Sequence, residues 1–252
     1  MENIDFINVA GLLMDGKNDS LENALRVKLH PHSITTIAPT PLHAARENPN
    51  RSIERAISMV KQAIERVQTA NPTASVVLMG RSYGGFIALL AACRMNFGNI
   101  SKIITIESPV NPDIDVVPPR LLPPLALCGP HYEHRASLAQ EAVDFLNRHG
   151  TRHVVTIQAG DEDGVVPIAA QAIPGDFQIF MMEDDNIEIL ASNPHNKGIQ
   201  IHLLPHLGSD DSGFKMALPQ SYRNHLFWSR EKMQCVTGSI EAVVSMHDHS
   251  YL

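Results

Sequence analysis

Aromatic side chains make up only 5% of this 252-residue chain, with a single tryptophan. That scarcity argues against the stacking platforms on which single-stranded nucleic acids are held. Positive charge is also short, at 20 Lys and Arg against 27 Asp and Glu, a net charge of −7. A surface of that sign repels both nucleic acid and acidic membranes, so neither is expected as a partner. The three cysteines, Cys93, Cys128 and Cys235, are odd in number and far apart, with no CxxC or Cys/His spacing. Neither a disulfide framework nor a structural zinc is expected, and the reading implies no metal and no organic cofactor. No apolar run approaches the roughly 20 residues that span a bilayer. The chain opens Met1-Glu2-Asn3-Ile4-Asp5, acidic where a signal peptide carries positive charge. A cytoplasmic protein is the expectation.

What is abundant is apolar content, 44% of residues, enough to bury the core of one large α/β domain over residues 1–252. Six β-branched-rich runs stand out: Ile4–Ala10, Ser33–Ala38, Ser75–Met79, Lys102–Ile106, His153–Gln158 and Ile199–Leu204. They are continuously apolar more than alternating, the pattern of strands covered on both faces. Helical periodicity separates them. Over Ser52–Val67, Ile53, Ala56, Ile57, Val60, Ile64 and Val67 form one stripe with the charges outside it. Phe86–Met95 is apolar nearly all round, and further helices are expected over Leu21–Leu29, Ala136–His149 and Pro219–Met233. Such alternation predicts a doubly wound, mostly parallel sheet of about six core strands.

Two stretches depart from this rhythm. Ser108–His134 carries seven prolines and follows the end of a strand, the edge where such sheets bind ligands. Residues 108–135 are therefore expected to cap the site, with Val116, Val117, Leu121, Leu122, Leu125 and Leu127 suiting a hydrophobic acyl group or anchoring the loop to the core. In Phe177–Ser192, two apolar runs flank Glu183-Asp184-Asp185-Asn186, which predicts a β-hairpin insertion.

The chemistry centres on Gly80-Arg81-Ser82-Tyr83-Gly84-Gly85, between the strand Ser75–Met79 and the apolar helix from Phe86. A GxSxG turn so placed presents its serine on a strained strand-to-helix elbow, small residues on either side letting the elements close around it. The alternative is an ordinary N-cap serine on a glycine-rich connection. A serine nucleophile needs a base, and the base an orienting carboxylate, which on such a sheet follow in the order Ser, acid, His. After the strand His153–Gln158 comes Ala159-Gly160-Asp161-Glu162-Asp163-Gly164-Val165-Val166-Pro167. Of the histidines beyond it, His206 lies immediately past the last expected strand, where a base can swing between serine and acid. His202 falls within that strand, and His247 and His249 lie near a C-terminus expected to be mobile.

These motifs, in this order and on these elements, resemble the α/β-hydrolase superfamily over nearly the whole chain. The resemblance implies an acid at Asp163, the aspartate of G-x-x-D-x-x-V-P, with Asp161 and Glu107 as alternative positions. It also implies an oxyanion hole formed by the backbone N–H of Tyr83 and that of Leu12, after the first strand. Members often carry His-Gly where this chain has Ala10-Gly11, and the chain begins at what would be the third strand of the fold. The expected activity is hydrolysis of a small-molecule carboxylic ester or thioester, with acyl transfer or lactone chemistry open to the same residues. Oligomeric state is not legible in the sequence.

Two other classes remain. A catalytically silent hydrolase fold used for binding would have no need of all three triad residues. Gly11-Leu-Leu-Met-Asp-Gly16-Lys17-Asn18 nearly spells a nucleotide-binding P-loop, but Asn18 replaces the hydroxyl residue that holds magnesium.

Overall fold

A computed structural model describes residues 4–11, 20–30, 32–38, 48–116, 129–158, 166–182, 197–203 and 228–248. In chain order these form β1 (Ile4–Val9), α1 (Ser20–Lys28), β2 (Ser33–Ile37), α2 (Pro49–Ala70), β3 (Ser75–Arg81), α3 (Tyr83–Arg94) and β4 (Ile100–Ile106). Then come α4 (Gly129–His149), β5 (Val154–Gln158), the single turn α5 (Ile168–Gln171), β6 (Phe177–Met182), β7 (Gly198–Leu203) and α6 (Arg230–Asp248).

The strands make one parallel sheet in the order β2-β1-β3-β4-β5-β7-β6. Side chains alternate across it. Val76 and Leu78 of β3 join the cluster under α2, α3 and α4, while Val77 and Met79 join the opposite cluster under α1 and α6. Both faces are covered, which is why the strands read as unbroken apolar runs.

Local signals set the helices around the sheet. Asn48 caps α2 by accepting from the Asn50 amide, and Pro49 fills its first turn, where no N–H is needed. Every residue of α3 from Tyr83 to Cys93 is buried, because the helix lies against β3 and β4 with α2 and α4 over it.

The described residues extend the sheet to seven strands. Phe177–Met182, expected as one arm of a hairpin, pairs parallel with β7. Its apolar run extends both layers, with Phe177 against the α2–α4 side and Phe180 against the α6 side. The expected turn and second arm, from Glu183 onward, lie outside the described residues. Of the helix expected over 219–233, residues 219–227 lie outside the described residues; Trp228 and Ser229 are not helical, and α6 starts at Arg230, where the Ser229 hydroxyl accepts from the Lys232 amide. It then continues to Asp248, so His247 sits on a helix whose Cys235, Val236, Ile240, Val243 and Val244 are core, not on a loose terminus.

The beginning of the proline-rich stretch is also anchored. The Val110 and Asn111 amides both donate to the Ala170 carbonyl, at 2.9 Å each. Arg135, 1% exposed, donates to the carbonyls of Pro109 (3.1 Å), Asn111 (2.6 Å) and Ile114 (2.7 Å). Val116 is core, and residues from Gly129 onward belong to α4. Residues 117–128 of the expected cap lie outside the described set.

Candidate active site

Ser82 stands between β3 and α3 with φ 52° and ψ −133°. A helix-capping serine holds extended backbone and turns its hydroxyl onto the first helical amides. Ser82 does neither, since its side chain makes no cap hydrogen bond. Its main chain is tied on both sides. The Ser82 N–H donates to the Ile106 carbonyl at 2.8 Å, and its own carbonyl accepts from the Gly85 amide at 3.1 Å. The Tyr83 amide is the first of α3, at the electropositive end of that helix, and the Tyr83 ring is buried 5.3 Å from that of Phe86.

The flanking glycines are there for space. A Cβ on Gly80 would stand 2.6 Å from the carbonyl carbon of Gly84. One on Gly84 would overlap the Val9 carbonyl oxygen, and one on Gly85 the Ser108 hydroxyl. Close approach at Gly84 therefore packs the start of α3 directly on Val9 and Ala10, at the end of β1.

Beside the serine lies a buried charged cluster. Glu107, fully buried and with φ 47°, follows β4; its N–H donates to the Ile157 carbonyl at 2.9 Å. Its carboxylate accepts from Arg81 Nε at 3.2 Å and from the Trp228 indole N–H at 3.0 Å, and pairs with Lys232 Nζ. The Arg81 guanidinium also lies 4.0 Å over the Trp228 ring, a cation–π contact. With Arg81 14% and Lys232 3% exposed, the two cations and one carboxylate found here among the described residues share a site that water barely reaches. Sequence reasoning missed Arg81, Trp228 and Lys232. The available signal was Arg81 and Glu107 themselves, opposite charges closing two otherwise apolar strand ends.

The rest of the expected site lies outside the described residues: Asp163, Asp161, His206 and Leu12, together with Leu12–Lys17 and Asn18 of the P-loop-like segment. The strands leading to them are described. β5 and β7 are parallel neighbours with Gln158 opposite His202, and they end at the same edge as β3 and β4. His202 is half-buried on β7, and burial lowers its pKa. Burial, with Glu141 adding to it, pushes the Cys93 thiol up to about 12, so this cysteine is no nucleophile at neutral pH. Among the described residues no three His, Cys, Asp or Glu side chains converge as metal ligands, and no helix is long and apolar enough to cross a membrane.

Solved structures with this arrangement are numerous. A serine hydrolase without a lid from Xanthomonas campestris superposes with a TM-score of 0.53, at 16% identity, over 98% of this chain and 83% of its own. Est1E from Butyrivibrio proteoclasticus does so at 0.56, with 14% identity, over 98% and 89%. A carboxylesterase from Lactobacillus plantarum does so at 0.52, with 11% identity, over 98% and 85%. This is the α/β-hydrolase fold. Residues 45–118, which carry the Ser82 elbow of the hydrolase fold, also match a family described as a PGAP1-like alpha/beta domain. No curated protein matches the sequence.

Proposed function

We propose that this chain is a serine hydrolase that cleaves a carboxylic ester or thioester through an acyl-enzyme on Ser82. The observation that carries the reading is the Ser82 backbone at φ 52°, between a buried strand and a buried helix, with its hydroxyl not spent on capping. Strain of that kind persists only where surrounding structure over-determines it, and it collects at reactive positions. The esterases and serine hydrolases among the structural neighbours agree with this chemistry.

In this reading His206 takes the Ser82 proton as the hydroxyl attacks the carbonyl, and Asp163 holds the resulting imidazolium. The Tyr83 and Leu12 amides receive the developing oxyanion; Gly84 packed on Ala10 brings the chain before Leu12 to the elbow. His206 then protonates the leaving alcohol or thiol, and water activated by the same imidazole releases the acid. Three strand spacings, about 14 Å at ~4.8 Å each, separate β3 from β7. That exceeds the reach of an imidazole fixed on the strand, which favours His206 over His202 as the base. Glu107 is a poor acid for the triad because Arg81, Lys232 and Trp228 already engage its carboxylate. Asp163 is therefore favoured, with Asp161 next.

Intact-mass labelling with a fluorophosphonate tests the proposal. Wild type should gain one adduct and Ser82→Ala none. Folded wild-type protein that takes up no probe would instead favour a hydrolase fold used for binding.

A further inference from the structure

Arg81 is the variable residue of the elbow, adjacent to the proposed nucleophile. Its side chain runs toward α6, and the described residues it meets there, Glu107 and Trp228, are buried. Glu107 accepts from it, Trp228 lies flat beneath it, and Lys232 also pairs with the carboxylate. Ser229, between the latter two, caps α6. The C-terminal helix is thereby attached to the elbow by charge and not only by apolar contact. Ser82, next to one end of this link, and Glu107, at the other, both hold positive φ, 52° and 47°. A buried charged cluster is a costly way to fasten a helix, because apolar residues of the same volume would do so at lower desolvation cost.

We propose that Glu107 is a positioning residue for Ser82: by locking Arg81 to Trp228 and Lys232 of the C-terminal segment, it holds the elbow in its reactive backbone geometry. The inference rests on the serine-hydrolase reading above. It makes α6, over a hundred residues away in sequence, a determinant of Ser82 reactivity. Coupling is reciprocal, so covalent change at Ser82 is felt at Trp228. Trp228 is the only tryptophan in the chain, so its fluorescence reports on the surroundings of this one residue.

The test is the rate of fluorophosphonate labelling across pH on the full chain, with tryptophan emission followed in parallel. Wild type is compared with Glu107→Gln, Glu107→Asp and Lys232→Met. Lys232→Met keeps the Arg81 and Trp228 bonds to Glu107, and carries the test if Glu107→Gln does not fold. Folded Lys232→Met and Glu107→Gln should label about 10²-fold more slowly, the cost of a small misplacement. The pH midpoint should stay at its wild-type value, and Glu107→Asp should recover part of the rate. Labelling should shift Trp228 emission in wild type and not in Glu107→Gln. Wild-type rates in the folded variants would overturn the proposal and leave the cluster a structural fastener. A loss nearer 10⁴-fold with a displaced acid limb would overturn it by making Glu107 the triad acid. Absence of labelling in wild type would overturn the serine-hydrolase reading itself, a result distinct from both.

Discussion

Ser82 and Glu107 hold left-handed backbone, φ 52° and 47°, at the ends of two adjacent parallel strands. The Ser82 N–H bonds to Ile106, the residue before Glu107, so neither strained position can relax without moving the other's strand. The Glu107 side chain runs into the α6 layer, to Trp228 and Lys232. The consequences of this arrangement are measurable one residue at a time.

Replacing Ser82 by glycine separates reactivity from strain. A side chain at this backbone geometry costs about 1–3 kcal/mol. Glycine removes that cost but loses about 0.5–1 kcal/mol to its greater freedom in the unfolded chain. Ser82→Gly should therefore be more stable than Ser82→Ala by roughly 1 kcal/mol in denaturant midpoint measurements, with both unlabelled by fluorophosphonate. A Ser82→Gly variant less stable than Ser82→Ala by about 0.5–1 kcal/mol would mean that the elbow carries no backbone strain.

Gly84→Ala should fail differently. The new methyl would overlap the Val9 carbonyl oxygen and stand 2.7 Å from that of Ala10, and both are backbone atoms of or beside a sheet strand. Overpacking against rigid neighbours costs about 1–3 kcal/mol. The displacement falls at the junction of α3 and β1, where the oxyanion donors are proposed to converge. The expectation is a variant that folds with a lowered melting temperature and labels far more slowly than that loss of stability explains. Normal labelling would remove Gly84 from the geometry of the site.

The sheet was legible because runs such as Ile103-Ile104-Thr105-Ile106 are apolar on both faces, which only a doubly covered strand tolerates. The elbow was legible because steric demand selects glycine at 80, 84 and 85. The Glu107 cluster was not. Arg81 and Glu107 are 26 residues apart, and Trp228 is 121 residues beyond Glu107. Periodicity reports which face of an element is apolar, not which strand end meets which helix. The start of α6 is hidden for a similar reason: composition is helical on both sides of it, and it is the hydroxyl of Ser229 that accepts from the first turn. Phe177–Met182 is legible as a strand from its apolar run, but its parallel partner β7 is not, because an apolar run carries no information on pairing.

Arg135 shapes the chain after β4 through three carbonyls at 3.1, 2.6 and 2.7 Å. A lysine there keeps the charge but presents a compact ammonium that cannot span Pro109, Asn111 and Ile114 together. Arg135→Lys should lose about 1–3 kcal/mol, the cost of leaving buried acceptors unmet. At roughly 2–4 °C per kcal/mol for a chain of this size, that is a fall of several degrees in melting temperature. Limited proteolysis should then cut within residues 108–116 faster than in wild type. An unchanged melting temperature and cleavage rate would show that the three bonds do not hold this stretch.

His202 gives stability a pH dependence whose sign follows from its burial. Desolvation lowers its pKa in the folded protein, so between that lowered value and the ordinary imidazole value near 6.5 the unfolded chain binds a proton that the folded chain refuses. Its contribution is fully present above the unfolded value and is lost as pH falls toward the folded one. The chain has twelve other histidines, so the test is a difference. The drop in denaturant midpoint from pH 7.5 to 5.5 should be smaller in His202→Gln than in wild type. A larger drop in the variant would mean that protonated His202 stabilises the fold, which would require a carboxylate partner for it and reverse the sign argued from burial.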